Sequence, residues 1–288
     1  MRCGVNVPNF GDFADPRLIG VLAERAESAG WDGLFVWDHL VWDSSAPVPV
    51  ADPWILLTVA ALATRRIRLG AMVTPVARRR VATLARQVVT LDQLSGGRVI
   101  FGCGLGAPLD EEFGSFGEPT DPRVVAAKLD EGLEALSLLW TGEPVSYRGR
   151  HVTVKDVQFL PTSPQGTRVP VWVGGNWPNR APMRRAARWD GAFPMLGGER
   201  EGAIPDPGTL GELRSFLQGC RGERGVADFD IVVSGSTAAN RASDTEALGR
   251  LADAGATWWL ECAPWDDRLT EADPVLRRVD AGPPMPRA

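Results

Sequence analysis

The sequence predicts a single α/β domain over residues 1–280 folded as a (β/α)8 TIM barrel with insertions at its carboxyl face, followed by a disordered tail over 281–288. Three observations carry that expectation. Eight short apolar or β-branched runs alternate with eight longer, helix-like ones from one end of the chain to the other, the pattern of repeated βαβ units around a parallel sheet. The strand-like runs are short and largely apolar, as strands covered on both faces must be. The length of 288 residues, 44% of them apolar, fits a barrel of about 250 residues with added loops.

The strands are expected at 2–7, 33–37, 67–73, 98–103, 169–173, 192–195, 229–234 and 257–262. The helices are expected at 17–29, 53–63, 81–94, 124–140, 181–189, 209–218 and 243–254, with a weak last one at 273–279. Asp15 before Pro16 and Asp52 before Pro53 place a capping carboxylate ahead of a first-turn proline. Ser243 with Glu246 reads as a capping box, and Gly30 and Gly255 as helix stops. Three segments interrupt the alternation: 108–122, 143–164, where YRGRHVTV and VQFLP suggest a hairpin, and 197–208. Loops this long are usually functional or disordered. A doubly wound open sheet is the competing architecture.

Composition narrows the function. Acidic residues outnumber basic ones 36 to 31, for a net charge of −5, so no nucleic-acid partner is expected. The opening MRCGVNVPNF has no signal-peptide pattern, and no run of about 18 apolar residues follows. A cytoplasmic protein with no membrane partner is the expectation. Four cysteines, at 3, 103, 220 and 262, make no CxxC pair, and there are two histidines. No metal site or disulfide framework is expected from that set.

In a barrel the chemistry sits at the carboxyl ends of the strands. Read in order, those ends are Asn9; Asp38 and His39; Val73 and Thr74; Gly104 and Gly106; Gly174, Gly175 and Asn176; Met195; Ser234 and Gly235; Glu261 and Trp265. Glycines, amides and tryptophans dominate, as in a mouth that holds a flat ring and an anion. His39 follows four apolar strand residues in LFVWDHLVW, so its imidazole reaches the rim, where it can donate, accept or exchange a proton. The bland alternative is a histidine bonded to backbone. Asp38 reads as its catalytic companion or as a turn cap.

Arg78, Arg79 and Arg80 can meet an anion, but a run of charges more often forms a solvated helix turn. Arg98 opens a buried strand and is expected to be paired. FGCGLG has glycines at 102, 104 and 106 without the G-x-G-x-x-G register of a dinucleotide fingerprint; these glycines are read as letting a ligand approach backbone. VWVGGNWPNRAP, where a strand runs into two glycines and then a helix, is the better phosphate candidate, against a tight turn needing positive φ. Trp37, Trp42, Trp177 and Trp265, four of eleven tryptophans, stand near strand ends as stacking or packing residues. Cys103 reads as a small buried residue.

Four blocks in order then carry a resemblance: AERAESAGWDGLFVWDHL, DPWILLTVAALATRRIRLGAMVTPV, LARQVVTLDQLSGGRVIFGCGLG and VPVWVGGNWPNRAPMRRAARWDGAFP. Together they cover most of the chain and resemble the bacterial luciferase-like superfamily of barrel oxidoreductases, whose members use FMN or the deazaflavin coenzyme F420. The resemblance implies the same barrel, a homodimer, and hydride transfer or monooxygenation of a small organic substrate. It implies that His39 faces the cofactor ring, with Asp38 beside it in a pair common among deazaflavin users, which favours F420. It places a non-prolyl cis peptide at Met72–Val73, with Thr74 and Asn6 near the ring. It assigns Gly174, Gly175, Asn176, Trp177, Asn179 and Arg180 to the cofactor phosphate, and Arg98 as an arginine reaching it.

Two departures matter. Ala107 and Pro108 stand where sugar-phosphate dehydrogenases of the deazaflavin branch carry a glutamate. Glu111 or Glu112 can substitute for it from the loop, against the commoner reading of a solvated acidic turn. NWPN replaces the small Ser or Thr that many relatives carry near the phosphate. Two other readings stay open: a cofactor-free barrel hydrolase or isomerase using Asp38 and Glu261, and a non-catalytic flavin-binding protein.

Overall fold

The computed structural model describes residues 1–196, 202–238, 241–264, 266 and 268–284. Strands β1 (Arg2–Val7), β2 (Gly33–Val36), β3 (Arg68–Ala71), β4 (Thr74–Pro75) and β5 (Phe101–Gly104) come first. They alternate with helices α1 (Pro16–Ala29), α2 (Pro53–Ala63) and α3 (Val81–Ser95). After β5 come the single turn α4 (Leu109–Glu112) and the long α5 (Pro122–Leu139). A hairpin, β6 (Pro144–Arg148) and β7 (Thr153–Gln158), precedes β8 (Val171–Trp177), α6 (Arg180–Ala186) and β9 (Gly191–Leu196). The chain continues through α7 (Pro207–Arg221), β10 (Asp230–Gly235), α8 (Ala242–Ala254), β11 (Trp258–Cys262) and α9 (Ala272–Asp280).

The main sheet runs β3-β2-β1-β11-β10-β9-β8-β5-β4 and is parallel throughout. Its two ends, β3 and β4, are pieces of one stave, the expected strand 67–73 interrupted at Met72 and Val73. A bridge from Leu69 to Val99 joins that stave to the next one, so the order closes into the eight-stave barrel that the alternation predicts.

Glycine and aromatic residues fill the barrel together. Phe35, Trp172 and Trp258 meet in its centre, with ring centroids 5.3–5.9 Å apart, and Met72, Ile100, Phe193, Val232 and Leu260 pack around them. A Cβ at Gly4 or Gly33 would come within 2.9 or 2.7 Å of the Phe35 ring, so these positions admit the plug only as glycine. Full burial of each such ring stabilises the fold by roughly 3 kcal/mol. This plug is the floor on which the mouth rests.

Helix starts follow the Asp-Pro signal at four places. Asp15 and Asp52 accept from the backbone N–H groups of their first turns, and Asp121–Pro122 and Asp206–Pro207 repeat the device, which moves the starts of α5 and α7 ahead of the expected 124 and 209. Gly30 and Gly255 end α1 and α8 at φ 95° and 113°. The capping box at Ser243 does not form: α8 begins at Ala242, Arg241 caps it without a side-chain bond, and Ser243 lies inside the helix.

The insertion at 108–122 belongs to the carboxyl face. The hairpin at 143–164 does not share that place, because it leaves α5 and enters β8. Its turn is held by Glu131 of α5, which accepts from the N–H groups of Arg150, His151 and Val152, and Thr162 and Leu160 bond to α3. The segment 197–208 falls partly outside the described residues, as do Trp265 and the tail beyond Pro284. No helix among the described residues is long and apolar enough to cross a membrane.

Candidate active site

The site is built on two loops at the carboxyl end, one after β2 and one after β5. Asn9, fully buried beyond β1, knits the first: its Oδ1 accepts from the His39 N–H at 3.0 Å, and its Nδ2 donates to the carbonyls of His39 and Ala51 at 2.8 and 2.7 Å. The peptide carrying His39 is therefore fixed from both sides. Around the imidazole stand Phe10, Trp37 and Trp42, with centroids 5.2–6.0 Å from it, and Phe10 stacks on Trp42 at 4.2 Å.

The second loop supplies a carboxylate. Leu109 and Glu112 stand at i and i+3 on the single turn α4, which Phe113 caps, and Phe113 and Glu112 are buried. Glu112 Oε1 lies 3.0 Å from His39 Nδ1. The same carboxylate accepts from the N–H groups of Leu40 and Val41 at 3.1–3.2 Å and from Arg78 Nη1. Arg78 Nη2 donates to the Asp38 carbonyl at 2.6 Å and to its carboxylate at 2.8 Å, and Arg79 Nη2 reaches both Asp38 oxygens at 2.7 and 2.8 Å. Arg79, Asp38, Arg78 and Glu112 thus form one chain of alternating charge that ends on the His39 imidazole. Burial pushes Glu112 up, but the His39 hydrogen bond, Arg78 and the Leu40 N–H hold its carboxyl below the usual glutamate range.

Several expectations change here. Glu112 is no solvated turn, because its place on the inward face of α4 puts it under the loop after β2. Arg78 and Arg79 are neither solvated nor free for a ligand anion, while Arg80 is exposed. Asp38, expected to be catalytic with His39, has its carboxylate enclosed by the two arginines, so it anchors the loop from behind. The amphipathic spacing of 109, 112 and 113 is the sequence signal that could have revealed the acid.

The third stave carries a cis peptide at Met72–Val73. The glycines of the neighbouring staves make room for that kink: a Cβ at Gly104 or Gly174 would lie 2.7 or 2.8 Å from the Val73 methyls, and one at Gly102 would lie 2.5 Å from Met72 Sδ. Side-chain packing, more than ligand approach, therefore accounts for the glycines of FGCGLG. Thr74 is fully buried and its Oγ1 has no hydrogen-bond partner among the described residues. Asn6 stands one layer above Gly4 on the inner face of β1. Its Nδ2 reaches Cys262 Sγ at 3.8 Å, while its buried Oδ1 has no partner among the described residues. Burial and the neighbouring Glu261 push that Cys262 thiol up to about 12, and burial pushes the Cys103 thiol higher still, so neither is a nucleophile.

Gly174 and Gly175 lie within β8, which extends four residues beyond its expected end, and neither has a positive φ. Gly175 lets Pro182 of α6 pack on the strand, since a Cβ there would fall 2.4 Å from the proline. Asn176 is exposed, Trp177 leans on Phe216 at 5.5 Å, and Asn179 caps α6 without using its side chain. Arg180 is exposed, with its guanidinium 5.6 Å from the Phe216 ring.

Arg98 is the clearest correction. It lies at the amino end of its stave, away from the mouth, and its guanidinium donates to the carbonyls of Ser95, Ile67, Ala61 and Thr64 and to Thr64 Oγ1 at 2.8–3.0 Å. Every N–H of the group is used, so no phosphate is reached. The strand-start position that made it look paired was the informative clue. Glu261 is likewise enclosed, bonded to Thr237, Trp259 and Arg278.

The fold agrees with what comparison finds. The sequence pattern described as luciferase-like monooxygenase matches residues 3–273. An F420-dependent glucose-6-phosphate dehydrogenase from Beutenbergia cavernae is 29% identical over 277 residues, 93% of this chain and 77% of that enzyme. Further enzymes of that name match over about half their own length. An F420-dependent secondary alcohol dehydrogenase, solved with an F420–acetone adduct, superposes with a TM-score of 0.76 at 19% identity, covering 97% of this chain and 96% of that one. A type II Baeyer–Villiger monooxygenase from Pseudomonas putida, solved with FMN, gives 0.74 at 16%, covering 98% and 96%. At those identities the two structures establish the fold; the match along nearly the whole sequence establishes that the chain belongs to the luciferase-like monooxygenase family.

Proposed function

We propose that this luciferase-like oxidoreductase holds coenzyme F420, with FMN as the alternative, in the carboxyl mouth of its barrel and acts by hydride transfer on a small apolar substrate in the cytoplasm. One observation carries the reading. Two buried polar atoms toward the carboxyl ends of the first and third staves, Asn6 Oδ1 and Thr74 Oγ1, have no hydrogen-bond partner among the described residues. Buried polar groups are almost always hydrogen-bonded, so this pair fits a ring system with polar edges. Asn6, Met72, Val73 and Thr74 would hold the ring. Gly174, Gly175, Asn176, Trp177, Asn179 and Arg180 would line the anionic tail along the exposed end of β8.

The deazaflavin, when bound, supplies the hydride chemistry. The protein's own part is narrower. His39 exchanges a proton with the substrate oxygen, Phe10, Trp37 and Trp42 keep water from it, and Asp38 holds the loop in place. Leu40, Phe116 and Met195, all exposed at the carboxyl end, make the rim apolar. With Ala107 and Pro108 close by, that rim favours an alcohol or carbonyl compound over a sugar phosphate. The name of the Beutenbergia relative and the Asp-His pair favour F420 over FMN. The cofactor-free hydrolase reading loses its two carboxylates, since Asp38 and Glu261 are both enclosed by donors.

Titration with F420 and, separately, FMN, followed by quenching of the eleven tryptophans, is expected to show binding of F420. His39→Ala is expected to lower turnover about 100-fold while changing cofactor affinity less than about threefold. Binding of neither cofactor sinks the reading, and binding without turnover on any alcohol or carbonyl acceptor returns it to cofactor storage.

The same reading includes a homodimer. Helix α2, PWILLTVAALA, is apolar on all sides and yet exposes Ile55 and Leu62, and an open groove of about 560 Å³ runs between it and α3, floored by Trp54, Leu91 and Phe159. A helix apolar all round is normally buried, and a second copy would cover it. Light scattering is expected to give twice the chain mass, and Leu62→Glu to give a monomer; a wild-type monomer refutes the dimer.

A further inference from the structure

We propose that Glu112 is the positioning residue that fixes which nitrogen of His39 carries the proton, holding neutral His39 as the Nδ1–H tautomer and leaving Nε2 bare for the substrate. The inference rests on the proposed role of His39, but its physical basis is independent of any cofactor. Every group facing the Glu112 carboxylate is a donor: the N–H groups of Leu40 and Val41, the guanidinium of Arg78, and His39 Nδ1 at 3.0 Å. An ionised carboxylate only accepts. The nitrogen opposite it must therefore hold the hydrogen, and in a neutral ring the other nitrogen must then be the acceptor.

The surroundings leave the ring little choice. Asn9 clamps the His39 peptide on both its N–H and its carbonyl, and Phe10 and Trp42 flank the ring, so a flip that exchanged the nitrogens would bring its other edge against the carboxylate only by moving packed aromatics. Nε2 makes no hydrogen bond among the described residues. It is thus poised to take a proton from a substrate hydroxyl. The imidazolium so formed keeps its Nδ1–H on Glu112, whose charge stabilises it, and returns the proton from Nε2 when the reaction runs the other way. Arg78 on the far side of the carboxylate keeps Glu112 ionised through both states. A carboxylate behind a working imidazole sets tautomer and orientation, and its loss costs rate more than binding.

The chain has two histidines, His39 and His151, so a ¹⁵N-histidine spectrum contains two imidazoles, assigned with His151→Ala. At a pH where both are neutral, His39 of the wild type is expected to show a protonated Nδ1 and a bare Nε2. Glu112→Ala is expected to abolish that preference, to lower kcat about 100-fold and to leave cofactor affinity within about threefold, with part of the rate regained in Glu112→Asp. A wild-type His39 protonated on Nε2 overturns the proposal, and so does an unchanged kcat in folded Glu112→Ala. Should that variant fail to fold, the wild-type spectrum alone decides. A protein that binds neither F420 nor FMN yet shows the Nδ1–H signature supports this inference while sinking the function proposed above.

Discussion

Glu112 and Glu261 lie at the same end of the barrel with almost no solvent contact, 1% and 3% exposed, and they are held in opposite directions. Burial pushes both carboxyls up. At Glu261, on the outer face of β11 toward α9, that push prevails over Arg278 at 3.3 Å and the bonds from Thr237 and Trp259, and the group stands above its usual range. At Glu112 it is outweighed by His39, Arg78 and the backbone N–H of Leu40. Depth alone does not decide the state of a buried acid; the charge and number of the donors brought to it by other parts of the chain do. Glu112 is the one set against a ring that can exchange a proton.

Removing the cation should separate the two regions most strongly. Arg78→Met leaves Asp38 and Glu112 buried without their shared partner, and the expected loss is about 3–5 kcal/mol of stability, read as a lower urea midpoint, together with loss of turnover. A loss under about 1 kcal/mol would mean that the ion chain behaves like a solvated surface pair.

A smaller effect tests the sign. A carboxyl held below its ordinary value of 4.5, like Glu112, adds stability above that pH and loses it as the pH falls through its lowered value. A carboxyl held above 4.5, like Glu261, contributes fully below that pH and loses the contribution as the pH rises through its raised value. The stability gap between wild type and Glu112→Gln should therefore close on acidification, and the gap to Glu261→Gln should widen. Urea midpoints measured across the acid range that move in parallel for both variants would erase the distinction.

The barrel was legible because its signals are local. An Asp-Pro pair announces a helix within two residues, and an apolar run announces a buried strand. The placement of His39 at a rim followed from the same logic. Glu112 was not legible, because its meaning depends on a contact with His39 across 73 residues of sequence, and an acid in a Gly- and Pro-rich loop looks solvated until the loop is folded over its partner. Arg78 and Arg79 were hidden for the same reason, since their carboxylates lie some 40 positions earlier. Ser243 erred the other way: a local capping pattern was present, but the chain entered α8 two residues too soon to use it. Gly174 and Gly175 read as a phosphate site or, failing that, a tight turn; the turn does not form, and their lack of a side chain serves the packing of Val73 and Pro182.

Glu112 and His39 belong to different loops, and that division constrains how this mouth can be re-engineered. Grafting a relative's segment over residues 105–117 would exchange the substrate wall and the imidazole's support in one cut. Grafting 38–43 alone would strand the acid. Recombination between homologues is workable here only when both crossovers travel together as one cassette.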